Sequence, residues 1–513
     1  MVATASPMIR RNVLANVIGG ASTIVLNLLI VPVQVRILGA EAYGLIGLIA
    51  SLQVVFSVLD LGLATTVVRE VARDTSPDRR DSRVLAQTVG TAYWITAFLL
   101  GGMLFAAADW IAQNWLQLEQ LAPATARLGI QTLALSVALR WPTAFYGGVI
   151  TGLEELTAQN VLKTVTTMIR LLGGLAVLLI ARSLEPFLWW LVGSALLEVG
   201  LYAIVCHRLF PGLSPRPGLS GTAVQRVWRF SLSMNAIALT TLVFTQADRV
   251  FMSRMLPLDQ VGYYSLAVTV VMTISVLQGF VTSALLPAMA SDHSHGRTSQ
   301  LIVRYDKATQ ILIYALAIPV GVLVFFGHDL LRAWISLEAA DEAAMVLALL
   351  AAGFLLNASA AMGYTLAVAT GHTRLPLVVN VAAAVVYLPA LYFAVRALGM
   401  TGPAVLWVLL NLYNLITLVP LVHRRVIGGS YGLWLRRNLL PFVLAGAGTF
   451  SLARGLTVVA GGGRHEALLA WTACGAAVLV YSVLGYCALA TPLRRDLRMM
   501  VQQAFARLRV ALP

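Results

Sequence analysis

Charge is what this chain has least of. Only 11% of its 513 residues are Asp, Glu, Lys or Arg, 59% are apolar, and the mean hydropathy is +0.82. Values so far from the soluble range exclude a water-solvated globular protein and require lipid around most of the chain. Cysteine is nearly missing as well. Cys206, Cys474 and Cys487 show no paired spacing, which excludes a disulfide framework and a thiolate metal site and leaves small core residues. His293 and His295 share a polar loop without an acidic or cysteine partner at ligand spacing, so no metal is expected and no cofactor is implied. Paired carboxylates, a Gly-rich phosphate loop and outer loops longer than about 20 residues are also missing, which leaves a membrane glycosyltransferase or polymerase nowhere to hold a sugar donor. The chain is not expected to be an enzyme.

What it has is apolar runs. About 20 apolar residues cross a bilayer as a helix, and fourteen such windows begin near residues 12, 43, 84, 127, 160, 186, 229, 260, 307, 344, 375, 403, 438 and 466. The first lacks a small-residue cleavage site and is expected to stay as a signal anchor. The formal charge of +14 would suit nucleic acid if it were clustered, but its placement follows the positive-inside bias instead. With the N-terminus inside, 25 of the 36 lysines and arginines fall in cytoplasmic segments and 8 in outer loops, leaving Arg140, Arg170 and Arg249 in spans or at their edges. Nucleic acid is therefore excluded as a partner, and both termini are expected inside.

The chain repeats itself. VRILGAEAYGLIGL at 35–48 matches SRMLPLDQVGYYSL at 253–266, setting Arg36, Leu38, Glu41, Gly44 and Leu48 against Arg254, Leu256, Asp259, Gly262 and Leu266 at an offset of 218. Arg11 falls on Arg229 at the same offset, and ITGLEELTAQN at 150–160 resembles ATGHTRLPLVVN from 369 onward. Six spans per copy is an even number, so the two halves are parallel repeats, an arrangement used by transporters that rock two lobes about a central site. The expected fold is all-α and membrane-integral, with two parallel six-helix lobes around a central cavity and two extra C-terminal helices. Its parts are an N-terminal lobe over 1–206, a Pro/Gly/Arg-rich cytoplasmic linker over 207–228, a C-terminal lobe over 229–425, two additional spans over 426–490 and a tail over 491–513. In that tail Leu497, Met500, Val501, Ala504 and Leu508 recur at helical spacing against five arginines, a basic amphipathic helix suited to anionic lipids of the inner leaflet.

The stretches RILGAEAYGL, LDLGLATTVVREVAR, QADRV at 246–250 and GYYSLA at 262–267 resemble the polysaccharide-transporter, or Wzx-type, flippases. Those belong to the multidrug/oligosaccharidyl-lipid/polysaccharide exporter superfamily, with the MATE drug exporters and the MurJ lipid II flippases, and the resemblance covers roughly residues 10–425. It implies two lobes around a cavity in the bacterial inner membrane. It also implies alternating-access transfer of an undecaprenyl-diphosphate-linked oligosaccharide from the cytoplasmic to the periplasmic leaflet. Coupling to H+ or Na+, and a polysaccharide polymerase as partner, are expectations of the same kind. Fourteen spans exceed the twelve common in Wzx proteins, so a MATE-like ion-coupled small-molecule exporter and a lipid II flippase remain alternatives.

Ionisable groups inside spans cost about 2.5–3.5 kcal/mol each on insertion scales and usually face a bundle interior or a wet cavity. Arg140, Arg170 and Glu198, on three consecutive spans, reach nearly one depth at about 1.5 Å rise per residue. Lys163, Thr166, Thr167 and Arg170 recur at i, i+3, i+4 and i+7, a polar track leading inward along one helix face. Arg140 precedes Trp141 and Pro142, and the proline is expected to kink the span and free a carbonyl. Guanidinium binds phosphate oxygens bidentately, so Arg140, Arg170, Lys163, Thr166 and Thr167 are the candidate substrate ligands. The competing reading pairs Arg170 with Glu198 and lets Lys163 snorkel to the interface. Glu198, Asp60, Asp248 and Arg249 are candidates for coupling or gating, with bracing of a helix the competing role for Asp60. A MATE-like exporter of cationic drugs would want acidic residues at this depth, where this sequence places two arginines and one glutamate.

Overall fold

A computed structural model describes residues 26–213 (except 59, 61, 75, 77 and 78), 218, 240–460, 466–495, 498–499 and 502. The expected starts of the first and seventh spans, most of the linker and most of the basic tail lie outside the described residues. The chain is helical throughout what is described, without strands, and one isolated bridge joins Gln117 to Pro257. Helices are what lipid demands, because a spanning segment must satisfy every backbone N–H and C=O from within itself. Twelve helices among the described residues are long and apolar enough to cross a membrane.

In chain order the helices are α1 (Leu26–Leu38), α2 (Ala40–Val58), α3 (Leu63–Arg73), α4 (Arg80–Trp110), α5 (Pro123–Gly152), α6 (Leu156–Ala181), α7 (Leu184–Leu209) and α8 (240–255). There follow α9 (Leu258–Ser294), α10 (Thr298–Trp334), α11 (Leu337–Ala369), α12 (Arg374–Leu398), α13 (Thr401–Val422), α14 (Tyr431–Asn438), α15 (Leu440–Ala460) and α16 (Glu466–Ala488). The expected windows fall on these helices, while their ends answer to local chemistry. Pro123 opens α5 where its missing N–H is harmless. The Ser336 hydroxyl accepts from Ala339 N at 3.1 Å to cap α11.

Packing divides the chain into two compact units, Met1–Leu266 and Ala267–Pro513. In unit 1, α5 is the most buried span and is packed on by α3, α4 and α7. Gly173 and Gly174 of α6 lie beneath the Trp190 ring of α7, and a Cβ on Gly173 would collide with that ring. Unit 1 runs past the linker to Leu266 because α8 and the first turns of α9 pack into it. Trp115 Nε1 donates to Ser253 Oγ at 3.1 Å and Leu258 N donates to Gln117 O at 3.0 Å. The start of α2 also crosses the start of α9 at backbone contact. A Cβ on Gly44 would collide with the Leu258 carbonyl, and one on Gly262 with the Ala40 carbonyl. Both pairs, 40 with 258 and 44 with 262, are separated by the repeat offset of 218.

In unit 2 the most buried span is α11, held between α10 and α13. The two additional spans pack on α10 through a core of Ala317, Phe326, Phe450, Cys474, Ala477 and Tyr481. Cys206 and Cys474 are buried and Cys487 is exposed, all as free thiols.

Candidate substrate site

Arg140 lies 12 residues before the end of α5 at Gly152, and Glu198 lies 11 before the end of α7 at Leu209. At about 1.5 Å per residue the two are nearly level. Because α7 packs along α5, Arg140 Nε sits 3.3 Å from Glu198 Oε2. The pairing of Arg170 with Glu198 weighed from the sequence is thus replaced by Arg140 with Glu198. Depth alone could not distinguish the arginines; the side of α7 that α5 occupies does. Arg140 Nη1 approaches Gln53 Oε1 of α2 at 3.5 Å, and its buried Nη2 has no hydrogen-bond partner.

Arg170 completes the group without joining the pair. Its charge is close enough to repel that of Arg140, yet its guanidinium has no hydrogen-bond or ion-pair partner among the described residues. Its backbone is fixed instead, since Trp190 Nε1 donates to Arg170 O at 3.0 Å. Two guanidinium groups and one carboxylate leave a local excess of one positive charge within the spans of unit 1.

The rest of the polar track splits. Lys163 is exposed and Thr167 half-buried. Thr166 is only 3% exposed, and its hydroxyl donates to Leu162 O at 2.9 Å within its own helix. Asp60, between α2 and α3, accepts from the Tyr93 hydroxyl and, at 3.3 Å, from Ala64 N; that is the geometry of a helix cap and brace. Pro142 sits inside a continuous α5, where the Thr143 hydroxyl donates to Arg140 O at 2.5 Å.

Asp248 and Arg249 on α8 bond within their own neighbourhood, although the buried Arg249 Nε has no hydrogen-bond partner among the described residues. Asp248, 7% exposed, accepts from the Tyr264 hydroxyl at 2.5 Å and from Arg249 N at 2.8 Å. Arg249 Nη1 donates to Gln246 Oε1 at 3.3 Å, and the same oxygen accepts from Ser51 Oγ at 2.7 Å. No hydrogen bond or ion pair joins either residue to Arg140 or Arg170 among the described residues.

A separate cavity of about 550 Å³ between α3 and α4 is lined by Arg69, Arg73, Glu70, Asp74 and Asp81 among others. Hydrogen bonds from the Ser76 and Ser82 side chains hold the Asp74 carboxyl well below the usual carboxylate range. With three acids against two arginines this cavity has no excess of positive charge to offer an anion.

Charge-based reading of the sequence missed Gln53, Trp190 and Tyr202, the last buried one helical turn from Glu198. Only Trp190 had a signal, the glycine pair 173–174 that a large ring on the next helix could occupy.

The polysaccharide biosynthesis protein family matches residues 9–293. The chain belongs to this family. Its relatives within and around the polysaccharide biosynthesis proteins include the "Putative O-antigen transporter" of Shigella flexneri, 21% identical over 380 residues, or 72% of this chain and 87% of that one. The "Uncharacterized membrane protein EpsK" of Bacillus subtilis (strain 168) is 23% identical over 331 residues, 63% of this chain and 65% of that one. Among solved structures the fold is similar to lipid II flippase MurJ in an inward closed conformation, with a TM-score of 0.69 at 10% identity over 92% of this chain and 99% of that one. It is also similar to an inward-facing MATE family multidrug transporter, with a TM-score of 0.62 at 14% identity over 81% and 95% of the two chains. This polysaccharide biosynthesis family member therefore shares its fold with those two structures.

Proposed function

We propose that the chain is a flippase that carries undecaprenyl-diphosphate-linked oligosaccharide across the bacterial inner membrane, by alternating access, for surface or exopolysaccharide synthesis. One observation carries the reading: Arg170 stands within a span, without a side-chain partner among the described residues, beside the half-satisfied Arg140. A cation so placed costs about 2.5–3.5 kcal/mol, and no carboxylate among the described residues pairs with it. A diphosphate would offset both guanidinium groups with charge-assisted, bidentate hydrogen bonds. In this reading Arg170 is the first phosphate ligand and Arg140 the second. Lys163 meets the cargo on the way in, and Thr167 adds a hydroxyl. Thr166, its hydroxyl committed to its own helix, contributes shape alone.

Glu198 holds Arg140 until phosphate competes for it, and is then free to take up a proton, which couples cargo to H+. The Asp248 and Arg249 networks act at the gate, and Asp60 as its brace. Both termini lie in the cytoplasm, and a polysaccharide polymerase receives the delivered glycan. The printed name of the Shigella relative supports a glycan cargo, and the excess positive charge speaks against cationic drugs.

Each arginine contributes charge-assisted bonds of about 1.5–3 kcal/mol, so Arg170→Ala or Arg140→Ala should weaken binding of undecaprenyl diphosphate roughly ten- to a hundredfold and stop glycan export. Arg170→Lys should rescue only in part, because it keeps charge and loses the planar fork. Normal export by Arg170→Ala, or by Arg140→Met combined with Glu198→Met, would overturn the phosphate site.

A further inference from the structure

Unit 2 carries a polar centre of another kind. Its spans hold no Asp, Glu, Lys or Arg over 267–291, 308–327, 343–373, 375–395 and 397–422. In their place is a chain of carboxamides across α9, α11 and α13. Gln278 Nε2 approaches Asn357 Oδ1 at 3.5 Å, Asn357 Nδ2 donates to Asn411 Oδ1 at 2.8 Å, and Asn411 Nδ2 donates to Trp407 O at 2.8 Å. Asn414, one turn beyond Asn411 on α13, extends the same face. Two carbonyl oxygens of the group, Gln278 Oε1 and Asn414 Oδ1, are buried without a hydrogen-bond partner.

These amides stand where the repeat puts the charges of unit 1. Gln278, Asn357 and Asn414 follow Asp60, Arg140 and Glu198 by 218, 217 and 216 residues. Asn357 and Asn414 therefore occupy the fourth and sixth spans of the C-terminal copy, as Arg140 and Glu198 do in the N-terminal one, while Gln278 lies in the second and Asp60 just past the end of α2. After duplication one polar centre is ionic and the other neutral. A pure helix-to-helix clasp needs only the Asn357–Asn411 bond, and it leaves Gln278 and Asn414 unexplained. Unpaired buried acceptors cost about 1–3 kcal/mol each, a cost that a bound donor removes. A cation would find no countercharge here. A hydroxyl suits better, because it donates and accepts at once, as a carboxamide does with its NH2 and its oxygen.

We infer that the Gln278/Asn357/Asn411/Asn414 cluster binds sugar hydroxyls of the lipid-linked cargo, and that Gln278 Oε1 and Asn414 Oδ1 accept from them. This assignment rests on the flippase reading above and adds to it a second, glycan-sensing centre. Selectivity for the sugar then resides in unit 2 and affinity for the diphosphate in unit 1.

The test uses the purified full-length chain in nanodiscs and two probes, undecaprenyl diphosphate and undecaprenyl diphospho-N-acetylglucosamine, whose dissociation constants are compared. The wild type should bind the sugar-bearing lipid about five- to tenfold more tightly, the worth of one or two net hydrogen bonds. Asn414→Leu breaks no hydrogen bond of the fold and should bring that ratio close to one. Gln278→Met, which keeps length and removes the amide, should do the same and serves if Asn414→Leu does not fold. Arg170→Ala should weaken both probes and leave the ratio in place. A ratio that survives both amide substitutions overturns the sugar site, as does a wild type that binds the two probes equally. A wild type that binds neither probe overturns the diphosphate reading, and this one with it.

Discussion

Glu41 shows how much one side chain can be asked to hold. Its carboxylate is 4% exposed and accepts three backbone N–H groups, from Glu119 at 2.8 Å, Gln120 at 2.7 Å and Leu121 at 2.9 Å. It thereby ties the loop between α4 and α5 to the start of α2, and this role accounts for the acid in LGAEAYG. Glu41→Ala strands three donors and should cost about 3 kcal/mol, at the usual 1–3 kcal/mol for an unmet buried group with partial rescue by water. Glu41→Gln, which keeps one acceptor oxygen, should cost less. Thermal unfolding in detergent measures both, and equal melting temperatures for Glu41→Ala and wild type would refute the role. At the same scale Arg140 and Arg170 differ in partner rather than type: one pairs with Glu198, and the guanidinium of the other has no partner among the described residues.

Among the elements, the crossing of α2 with the start of α9 is the most constrained. Backbones meet there only because positions 44 and 262 carry no Cβ, the device by which small residues let membrane helices approach closely. Gly44→Ala or Gly262→Ala must spread the crossing, at about 1–3 kcal/mol for overpacking. Each should lower glycan export and raise labelling of a cysteine that replaces Ser265, which packs against Gly47 in the same crossing. Unchanged labelling in both variants would show that the contact does not hold the two helices together. The glycines beneath Trp190 make room on α6 for that ring, which in turn bonds Arg170 O.

For the whole molecule, the distribution of Lys and Arg predicts an orientation. Reporter fusions after Ser294 and Ser430 should read as cytoplasmic and one after Gly462 as periplasmic. A periplasmic signal at Ser430 would remove the basis for fourteen spans. The two units also differ in character: unit 1 brings charge together on α5, α6 and α7, whereas α9, α11 and α13 of unit 2 meet through amides.

The amino-acid sequence alone determined the spans, because apolar run length is fixed by bilayer thickness, and it determined the repeat, because an offset of 218 needs no coordinates. It also placed Arg140, Arg170 and Glu198 near one depth, since a helix converts residue count into height. Tertiary structure decided what height cannot. Which arginine meets Glu198 depends on how α5 and α6 are disposed around α7. Which of two adjacent threonines is buried depends on the rotation of α6, and it withdrew Thr166 while leaving Thr167 half-exposed. The amide cluster escaped a search for charge because Asn and Gln are ordinary residues one at a time; only the packing of α9, α11 and α13 brings them together.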